Sequence, residues 1–267
     1  MNLFNHFRKK VSSNEVEKYY EEWTARYVES FGQIFQSKMA ESPEKLANYY
    51  IEQMGLRENM KILDAGCGIG GPAIEICKQI NVLIDGITLS QTQIDLATEN
   101  IKKAELNDNI QVYKIDFHNM QSSFKENSYD VIYFFESLVH SSEPKKVLEQ
   151  AYRLLKPDGI LYIKDLFEKT AYNKEDKEKI GFWVSHNNKA IKMNITKKED
   201  LLIDLRNIGF QLEFCQLMRI PTNQDNGNSF VVVNNIMPEM AQNIVTPYLE
   251  WYEVKSIKPG HRILEKL

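Results

Sequence analysis

The residues that most clearly indicate chemistry lie in a glycine-rich segment, Asp64-Ala-Gly-Cys-Gly-Ile-Gly-Gly71, which follows a short apolar run. Glycines at positions 66, 68 and 70 let a backbone turn approach a ligand closely, because no Cβ intervenes. Pro72 then opens a helix, whose free N–H groups and positive dipole end face such a turn. A strand, a glycine turn and a helix in this order predict a cofactor site at the carboxyl end of the strand.

The glycine spacing narrows the type of cofactor. Dinucleotide-binding folds use G-x-G-x-x-G and an acidic residue after the second strand. Here the third glycine comes one residue early, and Thr88-Leu89-Ser90 stands where the acidic residue is expected. The Gly-Lys-Ser/Thr sequence of a phosphate-binding loop is also absent from the sequence. A nucleotide-dependent oxidoreductase is therefore the weaker alternative.

Three titratable residues follow apolar runs at one edge of the predicted sheet, namely Glu136, His140 and Asp165. An imidazole near neutral pH can remove a proton from a hydroxyl or from carbon. A carboxylate at Asp165 would orient the imidazole of His140 and raise its basicity. The structural alternative is that His140 caps the following helix and Asp165 is a turn residue. We expect His140 and Asp165 to be catalytic, with Glu136 as a third candidate.

Short β-branched runs alternate with helical stretches between positions 61 and 165. The predicted strands cover 61–65, 82–89, 110–115, 129–135 and 160–164, and the predicted helices cover 73–80, 90–104 and 144–155. This alternation predicts right-handed crossovers and an α/β fold, with a Rossmann-like, mostly parallel seven-stranded sheet and helices on both faces. A sixth strand is predicted at 211–217. Beyond Pro221, we expect a helix at 238–254 and one more strand at 230–233 or near the C-terminus.

Composition limits the class of protein. The chain has 267 residues, of which 43% are hydrophobic and 26% charged, as expected for one globular domain. A net charge of −4 disfavours binding to nucleic acid or to an anionic membrane. The three cysteines (Cys67, Cys77 and Cys215) lack metal-ligand spacing, so we expect a reduced, cytoplasmic protein without a metal site. Neither a membrane span nor a signal peptide is predicted.

Several segments, in this order along the chain, resemble class I S-adenosylmethionine-dependent methyltransferases. Residues 62–71 resemble the first motif of that family, and Gly86-Ile-Thr-Leu-Ser-Gln-Thr-Gln93 resembles the G-x-T-L-S-x-x-Q of one subgroup. This subgroup contains sterol, tocopherol and prenyl-diphosphate C-methyltransferases, cyclopropane synthases and natural-product sugar O-methyltransferases. Asp116-Phe117, the segment 133–140 and the turn 154–159 match further motifs, so that the resemblance covers about 14–219.

The resemblance implies S-adenosylmethionine as the cofactor, bound by Asp64, Gly66, Cys67, Gly68, Thr88, Leu89, Gln93, Asp116, Phe117 and Glu136. The glycines would cradle the methionine part, with Asp64 near its amino group or orienting the loop. Gln93 would bond the ribose hydroxyls, although a capping box with Ser90 explains this residue equally well. Asp116 would accept a hydrogen bond from the adenine amino group. In C-methylating relatives the glutamate matching Glu136 faces a cationic intermediate; a hydrogen bond to the cofactor or to the N-terminal helix is the alternative.

Aromatic residues near the N-terminus share one helical face, at Tyr20, Trp23, Tyr27 and Phe31. Packing against the sheet is the simpler interpretation. The alternative is a lid over the cofactor, in which Tyr19 and Tyr20 resemble a paired aromatic position of the family. An aromatic face attracts a sulfonium or carbocation by roughly 1–2 kcal/mol when desolvated. Phe182 and Trp183 would form the other wall of the substrate site, or a small core of their own.

We therefore expect a helical lid segment (1–55), a cofactor-binding core (56–165), a substrate-cap insertion after the fifth strand (166–195) and a C-terminal completion of the core (196–267). The expected activity is methyl transfer to O or C of a small, largely apolar metabolite of isoprenoid or secondary-metabolite type, with His140 as base. Alternatives are N-methylation of a small amine and the oxidoreductase above. Methylation of nucleic acid or protein is disfavoured, and a homodimer stays open.

Overall fold

A computed structural model of the chain describes residues 10–34, 36, 41–218 and 248–260. The helices are α1 (Ser13–Phe31), α2 (Pro43–Met54), α3 (Gly71–Gln79), α4 (Gln91–Lys103), α5 (Pro144–Leu154), α6 (Lys174–Ala190) and α7 (Lys198–Ile208). The strands are β1 (Lys61–Ala65), β2 (Leu83–Thr88), β3 (Ile110–Lys114), β4 (Tyr129–Phe135), β5 (Leu155–Glu168), β6 (Gln211–Leu217) and β7 (Leu249–Ile257). Two short 3₁₀ helices, Phe117–Ser122 and Leu138–His140, follow β3 and β4.

The strands form one seven-stranded sheet in the order β3-β2-β1-β4-β5-β7-β6. The first five strands in this order pair in parallel, and β7 pairs antiparallel with both β5 and β6. Strand order reverses at β1, which has β2 on one side and β4 on the other. Ligands of open α/β sheets bind at such a switch point, outside the carboxyl ends of the strands. The predicted mostly parallel seven-stranded sheet is confirmed.

Hydrophobic cores cover the two faces of the sheet. Along β4, Val131, Tyr133 and Phe135 belong to one buried cluster, and Ile132 and Phe134 belong to the other. Because side chains of a strand alternate between faces, the two clusters lie on opposite sides. The first cluster includes residues of α2, α3 and α4, and the second includes residues of α5 and α7. Fully buried strands with apolar residues at successive positions are typical of a parallel sheet covered on both faces.

The C-terminal part of the described chain corrects one expectation. Residues 249–254, predicted as part of a helix, belong to β7. Here Glu253 and Val254 are buried between β5 and β6, and β7 pairs its backbone N–H and C=O groups with a strand on each side. The alternative strand at 230–233 and the first part of the predicted helix lie outside the described residues.

The insertion after β5 contains a helix, α6, which begins at an N-cap residue, Asn173, whose side chain accepts from the N–H of Asp176. Its buried residues Ile180 and Val184 pack with Leu166 and Leu249. In the part of the chain that the structure describes, no helix is long and apolar enough to cross a membrane. The same residues contain no group of three or more His, Cys, Asp or Glu side chains placed to hold a metal ion.

Candidate active site

A cavity of about 680 Å³, part of it open to solvent, lies at the carboxyl ends of the central strands. Its walls include Gly66, Gly68, Thr88, Leu89, Gln93, Phe117 and Glu136, together with His140 from the 3₁₀ helix after β4 and Tyr20 from α1. A second cavity of about 320 Å³ shares Gly66, Gly68 and Phe135 with the first and also contains Asp64 and Cys67. Nine predicted site residues thus line the larger cavity, and two more, Asp64 and Cys67, line the second. All eleven lie around the glycine loop.

The glycine loop fits tightly against the end of β4. Gly66 has a φ of +108°, and a Cβ added there would lie 2.3 Å from the Cβ of Ser137. The Ser137 hydroxyl donates to the carbonyl of Ala65 at 2.6 Å. Both the positive φ and the lack of space exclude any residue other than glycine at this position without a shift of the β4 end. The loop therefore exposes bare backbone to the cavity.

Asp64, the last polar residue of β1, is only 2% exposed. The Tyr133 hydroxyl donates to its Oδ2 at 2.8 Å. Burial raises the pKa of this carboxyl to about 7, although the hydrogen bond from Tyr133 opposes the rise. Tyr133 was not predicted as a site residue, because its position within an apolar strand looks like that of any core residue.

Gln93 and Thr88 are joined to each other at the start of α4. The Thr88 hydroxyl donates to Gln93 Oε1 at 2.5 Å, and Ser90 Oγ accepts from the Gln93 N–H at 3.1 Å. The expected capping box is therefore only half formed, because the Gln93 side chain bonds Thr88 instead of returning to the backbone of Ser90. Gln93 is 3% exposed and lines the larger cavity.

Asp116 caps the 3₁₀ helix after β3 and does not line either of these two cavities. Its Oδ1 accepts from the N–H of His118 at 2.9 Å and contacts His118 Nδ1 at 2.7 Å. Burial acts to raise the pKa of Asp116, but the bonds from His118 hold it below its usual value. His118, which the sequence analysis missed, lines the larger cavity beside Phe117 and contacts Ser13 of α1 at 3.2 Å.

His140 is 6% exposed and is held at both ring nitrogens. Nδ1 lies 2.7 Å from the carbonyl oxygen of Lys192, so Nδ1 carries the proton, because a carbonyl can only accept. Nε2 is then the acceptor, and the Tyr20 hydroxyl donates to it at 2.9 Å. Burial lowers the pKa of His140, which favours the neutral imidazole.

Asp165 does not pair with His140, and this corrects the expected His–Asp arrangement. Its two carboxylate oxygens accept from the backbone N–H groups of Val139 and Leu166, each at 2.9 Å. Asp165 lines a separate groove of about 450 Å³ that it shares with α7 residues. The reason is the period of two along a strand: Lys164, one residue earlier, is the side chain that faces the other side of β5. Burial raises the pKa of Asp165 to about 7.

Lys164 was not predicted and is the side chain of β5 that reaches the site. It is fully buried, and its Nζ lies 2.5 Å from Glu136 Oε1. The same ammonium donates to Gln36 Oε1 at 2.8 Å. Glu136 itself lines the larger cavity and has a φ of +56°, a left-handed conformation that is uncommon for a residue with a Cβ.

Helix α1 supplies the aromatic residues that were expected near the site. Tyr20 lines the cavity, whereas Tyr19, Trp23 and Tyr27 pack around it, with 2.7 Å between the hydroxyls of Tyr19 and Tyr27. Phe182 and Trp183 contact each other on α6 but are not among the described residues that line the three cavities. Phe182 is 64% exposed.

The polar groups of the second cavity show whether this site suits the methionine part of S-adenosylmethionine. Gln36 is 97% buried, and its Nε2 has no hydrogen-bond partner in the described part of the chain. An ammonium can only donate, so Oε1 must face Lys164 and Nε2 is left as an unused donor. An unused amide donor and the Asp64 carboxyl in one cavity complement the carboxylate and the ammonium of an amino-acid group. The residues present therefore fit the methionine part of this cofactor.

A protein-family model described as a methyltransferase domain matches residues 56–207. This segment is more than half of the chain and contains the glycine loop, Glu136, His140 and α6. The chain belongs to the methyltransferase domain family. The predicted resemblance to class I S-adenosylmethionine-dependent methyltransferases is thereby confirmed, and so is the predicted cofactor.

Curated relatives of this methyltransferase include sterol 24-C-methyltransferases from fungi. That of Debaryomyces hansenii is 33% identical over 185 residues, which are 68% of this chain and 47% of the relative. That of Candida albicans is 32% identical over 185 residues, with the same two coverages. The chain thus spans about half the length of the curated relatives it matches.

Solved structures with the same fold include the [4+2]-cyclase SpnF, with a TM-score of 0.77 and 20% identity over 94% of this chain and 98% of that one. Geranyl diphosphate C-methyltransferase from Streptomyces coelicolor has a TM-score of 0.72 and 14% identity over 92% and 97% of the two chains. At these identities the likeness concerns the fold alone.

Proposed function

We propose that this chain transfers the methyl group of S-adenosylmethionine to a small, largely apolar acceptor, at carbon or oxygen. The observation that carries the proposal is the meeting of Glu136, Tyr20 and His140 in the same cavity as the bare glycine loop. A binding loop and groups able to handle a proton or a positive charge are the parts that methyl transfer requires. The names of the relatives, which are C-methyltransferases of sterols and of geranyl diphosphate, support an acceptor of isoprenoid type.

The chemistry of the cavity favours an uncharged isoprenoid over a diphosphate. Among the described residues that line it, none is Lys or Arg, and the walls contain Val16, Ile87, Leu89, Phe117 and Phe135. A diphosphate would need several cationic groups or a metal ion to offset its charge. An acceptor resembling a sterol needs mainly apolar contact.

The bound cofactor supplies a methyl group activated by a positively charged sulfur. For an oxygen acceptor, His140 Nε2 takes the hydroxyl proton once the Tyr20 hydroxyl has given up its hydrogen bond to that nitrogen. For an alkene acceptor, the Glu136 carboxylate stabilises the positive charge that develops on carbon and then accepts a proton. The ring face of Tyr20 adds an electrostatic attraction for either cation. Helix α1 forms part of the cavity wall through Val16 and Tyr20 and reduces the access of water to the reacting groups from that side.

Methylation of a small amine is a second candidate, favoured by the carboxylate of Glu136 in the cavity wall. A carboxylate and a neutral imidazole can bind an ammonium and take up the proton that its methylation releases. Such an amine would compete with an apolar acceptor for the end of the cavity that holds Tyr20, Glu136 and His140.

The proposal is tested by incubating the protein with methyl-labelled S-adenosylmethionine and four acceptors: a sterol with a side-chain alkene, geranyl diphosphate, a phenol and a primary amine. We expect labelled product from the sterol, detected by mass spectrometry. Product from the amine alone would favour the second candidate. The absence of any labelled product, together with no calorimetric heat on adding S-adenosylhomocysteine, would contradict the proposed function.

Replacing His140 or Glu136 distinguishes methylation at oxygen from methylation at carbon. His140→Gln is expected to remove O-methylation, because the basic imidazole nitrogen is lost. The affinity for S-adenosylhomocysteine should stay nearly unchanged, because the cavity keeps its shape. Glu136→Gln is expected to reduce C-methylation more than O-methylation. Equal loss of cofactor affinity and turnover in His140→Gln would mean that the residue has a structural role.

A further inference from the structure

Lys164 is an unusual residue for the interior of a protein. Its side chain is 0% exposed, and burial lowers the pKa of the ammonium, whereas the nearby carboxylates of Glu136 and Glu253 act to raise it. Removing an ammonium from water costs several kcal/mol even after relaxation of the protein, so a position of this kind needs compensating partners. The aromatic rings of Tyr50 and Trp251, each 5.8 Å from Nζ, provide part of the compensation.

The contacts of Lys164 fix Glu136 at two points. The ammonium lies 2.5 Å from Glu136 Oε1, and the backbone carbonyl of Lys164 accepts from the Glu136 N–H at 2.8 Å. This second bond holds the backbone of Glu136 in its left-handed conformation, which an isolated residue would leave. One lysine of β5 therefore sets both the position of the Glu136 backbone and the direction of its carboxylate.

No other titratable group described near this pair could neutralise the Glu136 carboxylate in place of Lys164. Glu253, opposite Lys164 in the register of β5 and β7, accepts from the hydroxyls of Tyr49 and Tyr162 at 2.5 and 2.7 Å. The other titratable groups that act electrostatically on Glu136 or Lys164 are Asp165 on β5, Tyr50 on α2, Tyr20 and Tyr27 on α1, and His140 after β4. Among these described groups Lys164 is the cation, since His140 is held neutral. The carboxyls are those of Glu136, Glu253 and Asp165.

We propose that Lys164 is a positioning residue for Glu136: it fixes this carboxylate in the cavity wall and keeps it ionised, so that the cavity holds a negative charge for a cationic ligand group. The proposal rests on the proposed function, in which such a group occurs as the sulfonium of the cofactor or as a positive charge on the acceptor. Opposite charges at this distance favour the ionised carboxylate, and the low-dielectric surroundings strengthen the effect.

A purely structural role explains these contacts less well. Buried ion pairs are often neutral or unfavourable for stability compared with apolar residues of similar volume, because desolvation offsets their attraction. Here the pair also joins three separate segments, since Gln36 of the N-terminal segment accepts from the same ammonium. That contact and the Tyr50 hydroxyl, which donates to the same Gln36 oxygen at 2.6 Å, together orient Gln36 and leave its amide nitrogen as the unused donor of the second cavity.

The first test measures the ionisation of Glu136 without any ligand. The carboxyl carbon of Glu136 is followed by ¹³C NMR during a pH titration, and Glu136→Gln identifies the signal. The titration of the unaltered protein gives the reference midpoint. In Lys164→Met the midpoint should rise by about 1–3 pH units, because the carboxyl is then buried without its cation.

Two further variants control for folding and for charge. Lys164→Arg keeps the charge and should restore a midpoint close to that of the unaltered protein. Lys164→Gln keeps a hydrogen-bond donor without the charge and should behave as Lys164→Met does, which gives a result if the methionine variant does not fold. A folded Lys164→Met or Lys164→Gln with an unchanged Glu136 titration would overturn the proposal.

The second test compares two ligands that differ in one charge. S-Adenosylmethionine carries a sulfonium, and S-adenosylhomocysteine carries a neutral thioether. At a pH between the titration midpoints of the unaltered protein and Lys164→Gln, Glu136 is charged in the first and neutral in the second. At that pH, Glu136→Gln and Lys164→Gln should lower the affinity for S-adenosylmethionine relative to that for S-adenosylhomocysteine by about tenfold, the equivalent of one pKa unit, whereas Lys164→Arg should preserve this ratio. An unchanged ratio in Lys164→Gln would contradict the proposal. Failure of both ligands to bind the unaltered protein would instead overturn the proposed function, and the NMR titration would still decide the role of Lys164.

Discussion

At the scale of single residues, the site depends on a few side chains held by contacts that sequence patterns do not reveal. The positions of Gly66, Glu136 and His140 could be predicted, because the carboxyl ends of parallel strands meet at one edge. Their partners could not. The bond of Tyr133 to Asp64 joins neighbouring strands, and the contact of Lys192 with His140 spans 52 residues. Asp165 was assigned to the wrong side of β5 because the register of the strand end decides which side chain faces the cavity.

Gly66→Ala is expected to weaken binding of S-adenosylhomocysteine by roughly tenfold or more and to destabilise the protein by about 1–3 kcal/mol. The new Cβ would lie 2.3 Å from Ser137 at a φ of +108°, so the loop must move. Gly32→Ala is the matched control, because Gly32 also has a positive φ, +66°, but nothing lies within 4 Å of its added Cβ. Calorimetry and urea denaturation measure the two effects. Equal binding by both variants would contradict the expectation.

The buried imidazole of His140 should make stability depend on pH. Its pKa is lowered in the folded state, so below about pH 6.5 the unfolded chain binds more protons and stability falls as the pH falls. His140→Gln should flatten this dependence by up to about 1.4 kcal/mol per pH unit, the effect of one proton. Urea denaturation at several pH values between roughly 5 and 7.5 measures the slope; an identical slope in the variant would show that other groups control it.

At the scale of elements, helix α1 is fastened to α4 across the cofactor cavity. Glu21 of α1 accepts from the N–H groups of Gln91 and Thr92 at 2.5 and 3.3 Å, and the Thr92 hydroxyl donates to it at 2.5 Å. A carboxylate at a helix N-terminus satisfies free N–H groups and interacts well with the helix dipole. The aromatic spacing in the sequence predicted this helix. Its attachment through Glu21 was not predicted, because a glutamate on the polar face of a helix gives no sign of which segment it contacts.

Glu21→Gln should weaken this attachment by about 0.5–2 kcal/mol, as loss of a helix cap does. The variant is expected to release S-adenosylhomocysteine faster and to expose α1 to limited proteolysis. Glu17→Gln, on the same helix, serves as the control because Glu17 forms only a partly exposed ion pair with Lys114, which contributes little. Stopped-flow fluorescence gives the dissociation rates. Similar rates in the two variants would mean that α1 does not limit release.

At the scale of the whole molecule, the candidate site lies at the carboxyl ends of the central strands, and the remaining strands of the sheet flank them. The alternation of strands and helices was sufficient to predict the parallel part of the sheet, because each crossover is local. A last strand near the C-terminus was one of the two alternatives predicted from the sequence, and β7 lies there. Its place in the sheet was not predictable, since its pairing with β5 joins residues 253 and 164 across a long stretch of chain. Long-range antiparallel pairing depends on tertiary contacts that a local pattern does not contain.

Binding of S-adenosylhomocysteine should therefore protect one part of the molecule from hydrogen exchange. We expect slower exchange in α1, in the glycine loop and in the segments 88–93 and 136–140, and little change in β6 and β7, because only the first group borders the cavities. Mass spectrometry of peptides after exchange measures the pattern. NADH, added instead, should give no protection; protection by NADH alone would favour the oxidoreductase alternative.

The complete enclosure of Lys164 has a chemical consequence of its own. An amine-specific acylating reagent such as acetic anhydride reacts with a lysine only when the deprotonated nitrogen can reach solvent, so the exposed lysines of the surface are modified first. Lys164 becomes available only in molecules whose cavity wall has opened, and the slow accumulation of its acyl derivative records how often that happens. The rate of Lys164 acylation therefore measures how often the interior of the protein opens to solvent.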